Sequence, residues 1–280
     1  MYVSSIELVK KAREGHYAVP AFNAENLEMV QAIITAAEEE NSPVIIQTTP
    51  PTVKYLTPDE AYAMVYAMAK KSSVPVALHL DHCAVFDDVM AVIKAGYSSV
   101  MFDGSKLPFE ENIEISKKVV EVARPMGITV EAELGTVGGK EDNVVAKEVI
   151  YTDPEQAKEF VEKTGVDMLA VAIGTAHGFY KGEPKLDFER IEKIAQLTDI
   201  PLVLHGGSGV PDESVKKAIS LGMCKVNFAT ELRAAATKGV RRVLEDADVI
   251  DPKKYMGEAR NEVIKLCKDK IKMCGSNNKS

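Results

Sequence analysis

Eight short, nearly continuous apolar segments recur along the chain and alternate with segments of helical period, a pattern that few folds can satisfy. The apolar segments lie at 18–22, 43–48, 75–82, 98–104, 128–135, 167–176, 200–207 and 224–231. Strands that are apolar on both faces belong to a parallel sheet covered by helices, because such a sheet turns neither face to water. Between them, 26–41, 58–71, 109–127, 153–165, 187–198 and 211–222 carry apolar residues at three- and four-residue intervals, the spacing of a helix with one buried stripe. Eight strand–helix units in 280 residues close most economically as an α/β fold of the (β/α)8 TIM-barrel type. A doubly wound open sheet is the competing arrangement, but no GxGxxG turn follows the first strand. No linker-like tract interrupts the sequence, so 1–280 reads as a single domain. The segments 4–15 and 252–273 read as extra helices flanking the barrel, and the closing CGSNNKS as a frayed tail.

Charge narrows the function classes. Lys and Arg number 34 against 42 Asp and Glu, a net charge of −8. That field repels nucleic acid and anionic membrane surfaces, so neither is expected as a partner, and any anionic ligand has to be caught by a local pocket. No apolar run approaches the roughly 18 residues that span a bilayer. Charges fall where a secretory signal would be apolar, which gives a cytoplasmic expectation. Cys83, Cys224, Cys267 and Cys274 form no CxxC pair and read as free thiols of a reducing compartment. Cys83, directly after His82, could be drawn to a metal, yet neighbouring strand residues face opposite sides.

Four of the five histidines stand where apolar segments stop: His79 and His82 in VALHLDH, His177 in LAVAIGTAHG and His205 in PLVLHGGSG. The carboxyl ends of barrel strands are where such a fold carries its chemistry. Three neutral imidazoles from separate strands hold Zn2+ with a fourth position open, so His82, His177 and His205 are the candidate metal ligands. His79 lies deeper and suits the pocket wall, while His16 precedes the first strand and suits the surface. Asp81 ends a buried strand, where a carboxylate is costly unless it meets a cation, accepts several hydrogen bonds or moves a proton. In EAELG, Glu131 and Glu133 share one strand face; Glu133 and Asp103 are candidates for the metal's surroundings.

The loops after the seventh and eighth strands are the usual phosphate site of a barrel, and here they read HGGSG and NFAT. Glycines let backbone N–H groups approach an anion, and Ser208, Asn227 and Thr230 add side-chain groups. Lys181, in a neighbouring loop, adds positive charge. No lysine stands in the interior of an apolar segment, Lys225 lying only at the start of the eighth, which disfavours a Schiff base and leaves carbonyl chemistry to a metal. The long connections 135–153 and 178–186 are candidate lids.

These segments resemble the class II, metal-dependent ketose-bisphosphate aldolases over nearly the whole chain. The resemblance is carried by HLDH at 79–82, EAELGTVGGKED at 131–142, AVAIGTAHGFYKGEPKLDF at 171–188, VLHGGSG at 203–209 and KVNFATEL at 225–232. It implies a zinc barrel that reversibly cleaves a ketose 1,6-bisphosphate to dihydroxyacetone phosphate and glyceraldehyde 3-phosphate through an enediolate. It implies zinc on His82, His177 and His205, Asp81 as the acid/base at the C4 hydroxyl, and Glu141 as the acid that exchanges the C3 proton. Gly178, Gly206, Gly207, Ser208, Asn227, Phe228, Ala229 and Thr230 match its dihydroxyacetone phosphate contacts, with a monovalent cation (Na+ or K+) near that phosphate. A homodimer or homotetramer is implied as well. Ala229, AIGTAHG and the late CGS lean toward the tagatose-bisphosphate branch, and KYMGEARNEV at 254–263 toward fructose-type enzymes; tagatose is the favoured expectation. Arg260 or Arg233 is the candidate for the distal phosphate. A zinc hydrolase and a non-catalytic stabilising subunit are the competing functions.

Overall fold

The computed structural model describes residues 1–141, 144–146, 150–178, 180 and 182–280, with residues 140, 141 and 144–146 described by their backbone alone. In chain order the strands are β1 (Val19–Asn23), β2 (Val44–Thr48), β3 (Val76–Cys83), β4 (Ser99–Phe102), β5 (Thr129–Leu134), β6 (Gly138–Glu141), β7 (Val144–Ala146), β8 (Met168–Val171), β9 (Ala176–His177), β10 (Leu202–Leu204) and β11 (Met223–Phe228). Eight of them close a parallel barrel in the order β1-β11-β10-β8-β5-β4-β3-β2. The other three form a small sheet, β7-β6-β9, over the carboxyl end.

Helices α1 (Ser5–Glu14), α2 (Leu27–Glu39), α3 (Pro50–Leu56), α4 (Pro58–Ala69), α5 (Phe86–Ala95), α6 (Phe109–Ala123), α7 (Pro154–Thr164), α8 (Phe188–Leu197), α9 (Asp212–Ser220), α10 (Thr230–Val243) and α11 (Pro252–Met273) lie in the connections and at the two flanks. Local sequence sets many of their ends. Asn26 accepts from the Met29 N–H at the start of α2, and Asp153 accepts from Glu155 and Gln156 at the start of α7. Pro50, Pro58 and Pro154 occupy first-turn positions where the missing N–H costs nothing. Gly96 and Gly165 end α5 and α7 in the left-handed region.

Inside the barrel, composition changes along the axis. Val19, Ala21, Ile45, Ala77, Met101, Met168, Ala170 and Val203 fill the amino end, plugged by Leu8, Val9 and Ala12 of α1. Above them His79, Ser99, Glu131 and Lys225 are fully buried, and Asn23, Gln47, Asp81, Glu133, His205 and Asn227 follow toward the carboxyl end. The apolar half contributes the burial that sustains the polar half. The helices pack their apolar faces on the outside of the barrel in one continuous cluster. Phe160 of α7 is fully buried there, its ring 6.2 Å from that of Phe109. Phe160→Ala is expected to cost about 3–5 kcal/mol, read as a lower denaturant midpoint at unchanged slope. A cost below about 1 kcal/mol would mean that α7 does not seal this part of the core.

The barrel and both flanking helices match the sequence expectations. Three details differ. The eighth apolar segment stops at Phe228, and its last residues begin α10 instead. The sixth is split, β8 ending at Val171 and β9 taking up Ala176 and His177. The expected frayed tail is tied down: Ser276 is buried with its Oγ 2.8 Å from Ser42 Oγ, and Asn278 donates to the Glu40 carbonyl at 3.0 Å. Its polar composition reads as disorder only when the partners at 40–42 are out of sight. Among the described residues, no helix is long and apolar enough to cross a membrane.

Candidate active site

Three strands deliver imidazoles to one spot at the carboxyl end of the barrel. In β3 the register against β4 breaks between Leu80 and Cys83, and His82 has φ +51°. A regular strand would send Asp81 and His82 to opposite faces; the bulge turns both to the barrel mouth. A left-handed backbone at a residue with a Cβ costs on the order of 1 kcal/mol, so the fold accepts local strain to aim His82. His177 sits on the two-residue strand β9, paired with Gly138 and Gly139 of β6. A Cβ on Gly139, itself at φ +90°, would stand 2.3 Å from the His177 carbonyl oxygen, so glycine is required for this approach. His205 follows β10 directly. The His82 ring lies 4.7 Å from that of His177 and 4.4 Å from that of His205, centroid to centroid, edge to face. One ring nitrogen from each of the three lies within 4.8 Å of the others.

Carboxylates surround this cluster. His205 Nε2 donates to Glu131 Oε1 at 2.8 Å, and His82 Nδ1 donates to Asp103 Oδ2 at 3.2 Å. The remaining nitrogens, His205 Nδ1 and His82 Nε2, then face each other at 2.7 Å. Two bare imidazole nitrogens at that distance repel unless a cation stands by them. Glu133 Oε2 is buried with no hydrogen-bond partner among the described residues, 3.6 Å from His82 Nδ1 and 3.8 Å from His205 Nδ1. The donor set, imidazoles with a carboxylate beside them, fits a zinc ion. Burial, with the positive charge of Lys225, pushes His205 and His79 well below the ordinary histidine range, so both are neutral, the form His205 needs as a metal ligand. Burial and the charge of Asp103 push Glu133 well above the carboxylate range. For Asp103 burial acts upward, yet the hydrogen bonds from His82 and Ser105 outweigh it and hold the carboxyl down.

Asp81, 1% exposed, accepts from Gln47 Nε2 at 2.8 Å and from Asn227 Nδ2 at 3.2 Å. Both amides spend their donors on it. Gln47 Oε1 and Asn227 Oδ1 are left buried and without partners among the described residues, two acceptors beside a carboxylate. Gln47 also donates to Asn23 Oδ1 at 2.8 Å. Nearby, Gly178, Gly206 and Gly209 have φ of +91°, +65° and +80°. A Cβ on Gly207 would meet the Asn227 carbonyl oxygen at 2.8 Å. Ser208 Oγ accepts from the Ala229 N–H at 3.3 Å, so the HGGSG loop docks on the start of α10, where Thr230 is the first residue. Tyr180 clips the two loops together, its hydroxyl donating to the Gly206 carbonyl at 2.8 Å and accepting from the Ala176 N–H at 2.8 Å. A hollow of about 790 Å³ opens beside His82 and His177, between α3 and α5.

Several expected residues have other partners or lie outside the described residues. The Phe228 ring turns outward into the core, 5.7 Å from Phe22, so only its backbone reaches the mouth. Glu141 ends β6, but its side chain, like all of Lys181, lies outside the described residues. Arg260 donates to Gln31 Oε1 at 2.9 Å and Arg233 pairs with Glu25. Lys225 requires a correction: it is the third residue of β11, fully buried, with Nζ 2.9 Å from Glu131 Oε2. The register against β10 skips at Cys224, and this bulge turns Lys225 into the barrel where the apolar run had hidden it. An ammonium tied to a carboxylate still offers no lone pair for a Schiff base. Gln47 and Asn23 also escaped notice, although a lone Gln in PVIIQT was the available signal.

A family model described as fructose-bisphosphate aldolase class-II matches residues 3–279. Proteins named fructose-bisphosphate aldolase from Staphylococcus epidermidis and Geobacillus stearothermophilus are each 48% identical to the chain over 285 aligned positions. Each alignment covers 99% of the chain, with 99% and 98% of the two relatives. The crystal structure of the YdjI aldolase from Escherichia coli superposes with a TM-score of 0.90 at 40% identity, covering 100% of this chain and 99% of that one. The chain belongs to the class-II fructose-bisphosphate aldolase family, and it is an enzyme of the aldehyde-lyase kind that family comprises. The family is zinc-dependent and acts on sugar phosphates.

Proposed function

We propose that the chain reversibly cleaves a ketose 1,6-bisphosphate to dihydroxyacetone phosphate and glyceraldehyde 3-phosphate, with fructose 1,6-bisphosphate as the substrate. The convergence of His82, His177 and His205 beside the buried carboxylate Asp81 carries this reading. The 48% identity to relatives bearing the fructose name supports the choice of sugar. Tagatose 1,6-bisphosphate is the second reading, favoured by Ala229 in the NFAT loop. The two sugars differ only at C4, away from the half that the shared loops would hold.

In this proposal His82, His177 and His205 hold Zn2+, with Glu133 and Asp103 beside them. The bound ion supplies a Lewis acid that polarises the substrate carbonyl. Asp81, fed by the amides of Gln47 and Asn227, is kept as an acceptor and takes the proton from the C4 hydroxyl during cleavage. The unpartnered oxygens of Gln47 and Asn227 receive substrate hydroxyls and hold that hydroxyl against Asp81. Glu141, carried on the β6 segment, exchanges the proton at C3. The loops Gly178, Gly206 to Ser208 and Asn227 to Thr230 cradle the phosphate at the start of α10, with Lys181 adding charge and Na+ or K+ alongside. The working form is a homodimer or homotetramer in the cytoplasm.

A coupled assay of triose phosphate release tests the proposal. Both bisphosphates are compared, before and after chelation with zinc add-back. Chelator-sensitive cleavage restored by zinc, with kcat/KM larger for fructose bisphosphate, is the expected result. A larger value for tagatose bisphosphate transfers the assignment to that sugar, and activity surviving complete metal removal rejects the mechanism.

A further inference from the structure

Lys225 and Glu131 form an ion pair sealed inside the barrel, and the proposed cleavage gives Lys225 nothing to do. Neither side chain has any exposure, and Nζ lies 2.9 Å from Oε2. A buried pair of this kind is a poor source of stability, because desolvation offsets most of the attraction, so its position calls for another reason. The other Glu131 oxygen supplies one. Oε1 accepts the Nε2–H of His205 at 2.8 Å, on the side of the ring away from His82. A neutral imidazole carries one proton, so the acceptor on one side decides which nitrogen is bare on the other.

A third strand packs a side chain against the carboxylate without a hydrogen bond. His79 Nε2 lies 3.4 Å from Glu131 Oε2, and His79 Nδ1 is fixed 2.7 Å from Ser99 Oγ. Glu131 is therefore bonded to β11 and packed against β3 while it holds His205. We infer that Glu131, anchored by Lys225, is a positioning residue that fixes the tautomer and ring orientation of His205, so that Nδ1 is the nitrogen offered to a metal. Lys225 acts through Glu131 and touches neither metal nor substrate. The inference rests on the proposed three-histidine zinc site.

Two measurements on the full chain test it. In zinc-free protein with labelled histidine, a long-range proton–nitrogen spectrum is expected to show His205 as the Nε2–H tautomer; an Nδ1–H tautomer overturns the inference. Chelator competition then compares zinc affinity in the parent and in two double variants. Glu131→Leu/Lys225→Met removes both charges together and leaves no buried ion uncompensated. It is expected to match the parent in circular dichroism and to bind zinc about 10–100-fold more weakly, the usual effect of losing a ligand's partner. Glu131→Gln/Lys225→Met restores a neutral acceptor for the His205 N–H and is expected to recover affinity to within a few fold. Equal affinity in the parent and the leucine variant overturns the inference. A parent that binds no zinc instead overturns the three-histidine site, and the tautomer then decides this proposal alone, as it does if the leucine variant fails to fold.

Discussion

His205→Ala is expected to remove zinc retention and cleavage together, with kcat/KM falling at least about 10³-fold. His205 stands between the other groups: its Nδ1 faces His82 and its Nε2 is bonded to Glu131. Alanine deletes one of three proposed ligands and also leaves Glu131 Oε1 without its donor in a fully buried site. An open zinc site with three protein ligands does not keep its ion on two. The ion's stabilisation of developing negative charge is worth several kcal/mol, and each 1.4 kcal/mol is a factor of ten, which sets the size of the loss. The measurements are zinc content after gel filtration, kcat/KM on fructose bisphosphate, and a thermal melt to show that the barrel persists. Full zinc content with undiminished turnover would sink the assignment of His205.

The barrel was legible because its strands are apolar on both faces and the helical segments between them have their own period. Two independent patterns therefore agreed on one fold. The site was legible in its residue types, since His, Asp and Gly at the ends of buried strands are expensive anywhere else. Two strand irregularities bear on what the sequence could and could not place. At His82 and at Cys224 a bulge shifts the alternation by one, so the period-two rule assigns the wrong face to the residue that follows. At His82 the consequence was harmless, because the strand end was suspected anyway. At Lys225 it concealed a charged residue at the centre of the barrel. The tail failed for a different reason: Ser276 and Asn278 are held by residues more than two hundred positions away, and no local pattern carries that contact.

Asp81→Asn is expected to leave zinc content unchanged while cleavage falls about 10²–10⁴-fold, the range of a lost general acid–base group. The substitution is nearly isosteric, and the surroundings can absorb it. An asparagine amide placed against Gln47 Nε2 or Asn227 Nδ2 would set donor against donor. Asn227 has a buried oxygen with no partner among the described residues, so rotation of its amide supplies the missing acceptor, while Gln47 Nε2, bonded also to Asn23 Oδ1, keeps its place against the new side-chain oxygen. The fold and the histidine cluster are thus kept, while the group that can take a proton is lost together with one oxygen that would receive a substrate hydroxyl. Exchange of the C3 proton of dihydroxyacetone phosphate with solvent, assigned here to Glu141, is expected to continue in the variant. Cleavage lost with exchange retained identifies Asp81 with the C4 hydroxyl. Loss of both in parallel would mean that Asp81 holds the site together and carries no proton. Near-normal cleavage would pass the role to another group, with Glu133, raised by its burial and standing beside the same histidines, the next to be tested.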